Sequence, residues 1–314
     1  MLRNYLLISV FFGIITLVSC GPSGPKPDKR IVAQLELEDA SSSESTINSA
    51  IAALQHRFKK FNAFPTIERL AGTNTIEFSL DTHADPDRIL KFLKLRGHLE
   101  FYPLLKKESM QPFMDAADEL LKEHDSMQMG PLRAMMMDPI TPFATSLCRV
   151  AKADTTAFHS FLKMNKVLGL LESDMNPIKF LWGLPEHDLP GYPLYAVRTN
   201  DEGQAPLDGS SVVRSQQSFS YSDRPVIDIQ MDGNGSKIWE EMTGEAYQNS
   251  SQIAIVIDDV VYTAPGVTSG PIMGGRSEIM GDFTEKEAQD LAAGIGSGRI
   301  PKMKILNHSV VALE

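Results

Sequence analysis

The sequence predicts an α+β fold, and three observations carry that expectation. Strand-like alternation and helical periodicity are mixed along the chain. Hydrophobic residues at 42% and charged residues at 22% are ordinary for a globular protein. Beyond the first twenty residues, no stretch approaches the roughly 20 apolar residues that span a bilayer. The 314 residues allow about two domains at roughly 150 residues each. A net charge of −10 repels phosphate backbones, which argues against nucleic-acid binding as the main task. Two cysteines cannot build a disulfide scaffold.

The elements follow in order. Arg3 precedes an apolar run, Tyr5–Val18, of 14 residues, too short for a hydrocarbon slab about 30 Å thick but suited to a signal-peptide core. The run ends in Leu17-Val18-Ser19-Cys20, which resembles the lipobox of bacterial lipoproteins. That resemblance implies a signal peptide over residues 1–19 and an acylated Cys20. The bland readings are a signal peptide with an incidental cysteine, or an uncleaved anchor helix. Residues 20–30 hold the cysteine and a proline- and glycine-rich tether, which at about 3.1 Å per residue sets the folded body roughly 30 Å from the membrane. Ile31–Glu38 alternates as a strand, and Ile47, Ile51, Leu54, Phe58 and Phe61 recur at helical spacing, with His56, Arg57, Lys59 and Lys60 largely off that face. Thr75–Leu80 is a strand. Asp85-Pro86 starts a helix that Gly97 stops, and His98–Leu104 returns as a strand. Residues 31–105 thus read as one β-α-β-α-β unit, and residues 106–190 as an irregular, largely helical insertion. Strands return over 192–231 and a helix over 235–247. A hairpin turns at Asp258-Asp259, a capping box at Thr284 and Glu287 opens a further helix, and a last short strand follows.

The candidate chemical motifs are weak. Residues 270–277 miss a phosphate-binding loop by an arginine in place of lysine, and no helix begins where one is needed. Asp232-Gly233-Asn234 starts like a calcium loop, but Lys237 and Thr243 stand at the positions that need glycine and glutamate. The seven histidines never take metal-ligand spacing, so no metal site and no cofactor are expected, and an enzyme ranks last. Cys148 sits in an apolar, strand-like setting that favours an inert buried thiol over a nucleophile. Seven of the 15 methionines fall within residues 110–137, among them Met135, Met136 and Met137. Core packing is the favoured reading. Adaptable apolar recognition of an unfolded chain and Cu(I) binding by thioethers stay open.

The order of hairpin, glycine loop and capped helix in QIAIVIDDVVYTAPGVTSGPIMGGRSEIMGDFTEKEAQDLAAGIGSGRIP, with the upstream stretches SAIAALQHRFKKFNAFPTIERL, ILKFLKLRGHLEFY and RPVIDIQMDGNGSKIWEEMT, resembles the first periplasmic domain of the SecD/SecDF protein-export family. The resemblance runs from about Ser45 to about Ile305. It implies a ferredoxin-like base, made from residues 31–105 and a closing strand within 302–314, with an inserted α+β head over 191–301. It implies a non-enzymatic role in protein translocation, with unfolded secreted polypeptides and the Sec translocon as partners. The later membrane helices of the family have no counterpart here, so proton-driven movement is not carried over. The expected polypeptide-contact residues are Tyr262, Pro265, Ile272 and Met273 of the hairpin and glycine loop, with Met135, Met136 and Met137 nearby. The expected location is a lipid anchor facing the periplasm, with the outer membrane preferred over the inner. The competing expectation is an envelope lipoprotein that binds a small ligand or Cu(I) through the methionine segment.

Overall fold

In the computed structural model, which describes residues 26–39, 41–122, 128–137, 145–171, 177–186 and 188–314, strand β1 (Lys29–Leu37) buries alternate side chains, Ile31, Ala33, Leu35 and Leu37. The lipobox and Cys20 lie outside the described residues. Helix α1 (Glu44–Lys59) is capped by Ser43, whose hydroxyl accepts the Thr46 N–H at 3.1 Å, an arrangement worth about 1 kcal/mol. It lays Ile47, Ala50, Leu54 and Phe58 on β1 and on β3 (Thr75–Thr82), which follows the four-residue edge strand β2 (Thr66–Arg69). Helix α2 (Pro86–Lys94) starts at the cap Asp85 and buries Ile89, Phe92 and Leu93 against the same core.

From α2 the chain leaves the base and comes back only as its closing strand. The excursion contains β4 (Leu99–Pro103), α3 (Lys107–Leu120), α4 (Pro131–Met135), β5 (Cys148–Val150), α5 (Thr155–Leu162), α6 (Asn165–Leu168), β6 (Ile178–Trp182), β7 (Tyr192–Arg198) and β8 (Leu207–Asp208). It continues through β9 (Val212–Phe219), β10 (Pro225–Met231), α7 (Gly233–Gln248), β11 (Ile253–Ile257), β12 (Val260–Thr263), β13 (Arg276–Met280) and α8 (Glu285–Ile295) before β14 (Met303–Ala312). The base sheet has the order β14-β1-β3-β2, and each neighbouring pair is antiparallel. This is the ferredoxin-like order, with the last strand separated from the rest by about two hundred residues of inserted α+β head.

Two details differ from the sequence expectation. β2 is too short to stand out by alternation, and it holds its place through its pairing with β3. From sequence, residues 99–105 belong to the base, yet β4 pairs with β11 and β8 in the four-stranded sheet β12-β11-β4-β8. Leu99, Glu100, Phe101 and Tyr102 are all buried, so both faces of β4 are covered and the run has no alternation to say which sheet it joins. A third sheet, β13-β10-β9, carries α8 on its apolar side. The fourth, β5-β7-β6, closes over α3 and α5, so the segment expected at 106–190 packs as an α+β unit with its own core that extends through β7 to Arg198. Within that core, Cys148 is buried and its thiol is pushed up to about 12 by burial, as an inert structural cysteine would be.

Candidate functional site

Two chain crossings join base and head, Leu95–His98 outward and Ser297–Lys302 back. Both are held by one buried side chain. Arg57, left off the apolar face by its spacing in α1, is fully buried. Its guanidinium donates to the Leu95 carbonyl, to the Arg96 carbonyl at 2.7 Å and to the Gly298 carbonyl at 3.1 Å. Burial brings it down to about 10, against the pull of Asp258, so it stays charged at neutral pH. Asp258, in the β11–β12 turn, accepts the Arg96 and His98 N–H groups at 2.7 and 2.9 Å. Asp258 and Asp259 both take left-handed conformations, with φ of 54° and 68°, as a two-residue hairpin turn requires.

Beside this junction a cleft of about 540 Å³ opens between α2 of the base and β12 and α8 of the head. Phe92, Leu95, Leu184, Tyr262, Phe283 and Leu291 line its apolar part. Its rim is charged, and Arg88 closes one side through a bidentate pair with Asp290 at 2.8–2.9 Å. The capping box at Thr284 and Glu287 fixes the start of α8 and so the place of Phe283. The Tyr262 and Phe283 rings lie tilted, 6.0 Å between centroids. Burial, with Asp258 and Glu287 nearby, pushes the Tyr262 hydroxyl up to about 12, so it faces the cleft as a neutral phenol. The arrangement can hold an apolar group between base and head. It presents no activated nucleophile.

Of the expected contact residues, only Tyr262 lines this cleft. Pro265 is half-buried, and its carbonyl accepts the Ile253 N–H at 3.1 Å, extending the β11–β12 ladder. Ile272 packs on the head core, donates its N–H to the Thr243 hydroxyl at 2.9 Å and borders a separate, more polar hollow on the open face of the β13-β10-β9 sheet. Met273 stands 74% exposed and lines neither. Met135 and Met136 lean on the core that buries Met110 and Met114, and Met137 donates its N–H to the Arg149 carbonyl at 2.9 Å. Phe92, Leu95, Leu184, Phe283 and Leu291 escape sequence reasoning because each reads as an ordinary core residue of a different element. Their only local signal is apolarity.

His98, Glu100 and Asp259 bring three metal-ligand atoms within 4.8 Å of one another. Cations already fill the gap. Arg96 lies 2.7 Å from Asp259 and 3.3 Å from His98 Nδ1, Arg299 lies 3.4 Å from His98 Nε2, and Lys179 lies 3.9 Å from Asp259. Entry of a metal ion would require displacing a guanidinium, and the cluster is an ion network across the two crossings. Burial holds the His98 pKa below its usual value; Glu100 and Asp259 oppose the shift, and Arg299 and Arg96 reinforce it. The folded state therefore prefers neutral His98. Stability from this source is complete above the unfolded histidine range and is lost as pH falls through the lower folded value. His98→Asn should flatten part of the acid-side fall in urea midpoint between pH 7.5 and about 5, leaving the fall from His159, which burial shifts the same way. An unchanged slope would remove His98 from this role.

The family described as SecDF, P1 head subdomain, matches residues 189–302. The chain is 29% identical over 293 residues to the protein translocase subunit SecD of Rhodothermus marinus, covering 82% of this chain and 45% of that protein. It is 24% identical over 295 residues to SecD of Calditerrivibrio nitroreducens, covering 92% and 46%. It therefore spans less than half the length of these relatives. A crystal structure of SecDF in its super-membrane-facing form superposes with a TM-score of 0.53 at 19% identity, over 93% of this chain and 32% of that one, a likeness of fold. Base, inserted head and matched segments together make the chain similar to a SecD/SecDF periplasmic domain, with the match to the family's head subdomain at residues 189–302.

Proposed function

We propose that this protein works in protein translocation by binding unfolded secreted polypeptides outside the membrane, held there by an acylated Cys20. The observation that carries the reading is the cleft between base and head, whose apolar lining comes from both parts. An extended chain offers apolar side chains at intervals but no fixed shape, and a shallow open cleft with aromatic walls suits such a ligand. A bound segment cannot slide back while thermal motion supplies advance, so binding alone biases movement. Among the described residues no helix is long and apolar enough to cross a membrane, and the attachment proposed here is through Cys20. The relatives are translocase subunits, and the Sec translocon is the proposed neighbour.

Photocrosslinking residues at Tyr262 and at the exposed Leu184 should both trap a secreted chain in transit, whereas Met273, outside the cleft, should trap it less. No adduct at either cleft position would sink the proposal. Leu184→Asp, which leaves the core untouched, should weaken binding of a permanently unfolded polypeptide about tenfold, equivalent to roughly 1.4 kcal/mol.

A further inference from the structure

At one end of the base sheet the strand ends line up: Lys29 at the start of β1 pairs with Ala312 of β14 on one side and Thr82 of β3 on the other, and Thr66 at the start of β2 pairs with Ser79. This end is apolar without being covered. Phe64 is 71% exposed, Phe61 is 38% exposed, and Val310 and Val311 at the other edge of the same sheet end are open as well. The leading chain emerges in their midst, since Pro27 lines the same recess as Phe61 and Phe64. The charges there are largely answered within the fold. Arg30 holds Asp81 in a bidentate pair at 2.5 and 2.8 Å, and Asp28 lies 3.4 Å from both Lys29 and His83. Such a surface is neither repelled by a bilayer nor dependent on anionic lipid. An exposed apolar set on an otherwise satisfied pole marks an interaction face.

We propose that this pole rests on the lipid bilayer, with Phe61 and Phe64 in the headgroup and upper acyl region and Val310 and Val311 beside them. The inference rests on the membrane attachment proposed above. The apolar run ends at Val18, and only the five residues 21–25 separate the proposed anchor Cys20 from Lys26. The six steps from Cys20 to Lys26 reach at most about 22 Å when fully extended, so an anchored chain keeps this end of the base within that distance of the interface. Exposed aromatic rings favour that depth, and the tether removes most of the entropic cost of bringing them there. The occupant is therefore lipid, since the covalent connection delivers this face to the membrane before any free partner.

The full chain, extracted from its membrane and reconstituted in phosphatidylcholine vesicles with brominated acyl chains, tests this. Phe64→Trp should place a fluorophore at the proposed contact, and Tyr221→Trp should place one at the fully exposed turn between β9 and β10 of the head. After subtraction of the emission of Trp182 and Trp239, position 64 should lose about half its intensity relative to unbrominated vesicles, and position 221 should lose none. Flotation with the vesicles and an unquenched residue 64 would overturn the docking while leaving attachment intact. Failure to float would overturn the attachment reading and the docking with it. Equal quenching at both positions would overturn the assignment to this pole.

Discussion

Arg57→Met should lower the unfolding free energy by about 3 kcal/mol, the loss typical of breaking a buried charged network. The residue is fully buried, and its guanidinium serves carbonyls on both crossings, those of Leu95 and Arg96 going out and that of Gly298 coming back. Methionine fills much of the volume and supplies no donor. Three carbonyls are then left without their partner, each at a cost of about 1–3 kcal/mol. Part of that loss is recovered, because burial of the cation is itself unfavourable, as the lowered pKa of about 10 records, and because its Nε has no partner. Urea midpoints at constant slope measure the difference. A loss below about 1 kcal/mol would mean that the crossings are held by something else. Hydrogen exchange at residues 95–98 and 297–300 should rise in the same variant, since these are the segments released.

Gly97→Ala should cost about 2–4 kcal/mol, and more than Gly72→Ala by at least about 1 kcal/mol. Both glycines are left-handed, with φ of 73° and 75°, so both substitutions pay the same backbone strain. Only at Gly97 does the added Cβ meet main chain, 2.5 Å from the Gly294 oxygen and 2.7 Å from its carbonyl carbon. Nothing lies within 4 Å at Gly72. Gly97 is in the outward crossing and Gly294 is in the last turn of α8, so relief of the clash must move α8 away from the junction. That movement reshapes the cleft, because Phe283 and Leu291 ride at the start and on the face of α8. A weaker grip on unfolded polypeptide should therefore accompany the lost stability at Gly97 and be absent at Gly72. Equal effects of the two substitutions would remove the close approach as their cause.

The periodicities of β1, α1, β3, α2, β10, α7 and α8 were legible in the chain because each has one buried face and one wet face, and burial writes its period into local sequence. Cap residues marked the starts of two helices for an equally local reason: Asp85 and Thr284 each accept an N–H two or three residues away. The hairpin at Asp258-Asp259 was legible as a turn, while the work of its carboxylates was not, since their partners Arg96 and His98 lie about 160 residues earlier. The same limit hid the cleft. Phe92, Leu184 and Phe283 carry no mark beyond being apolar, and only the packing of α8 beside α2 makes them neighbours. Sequence by itself thus marked most of the elements, though not β2, and the split base and the likeness of the head were implied by its resemblance to SecD. Tertiary structure decided which sheet received β4, why an arginine sits at zero exposure and where a ligand can enter, because those outcomes depend on contacts between residues far apart along the chain, and local patterns carry no record of such contacts.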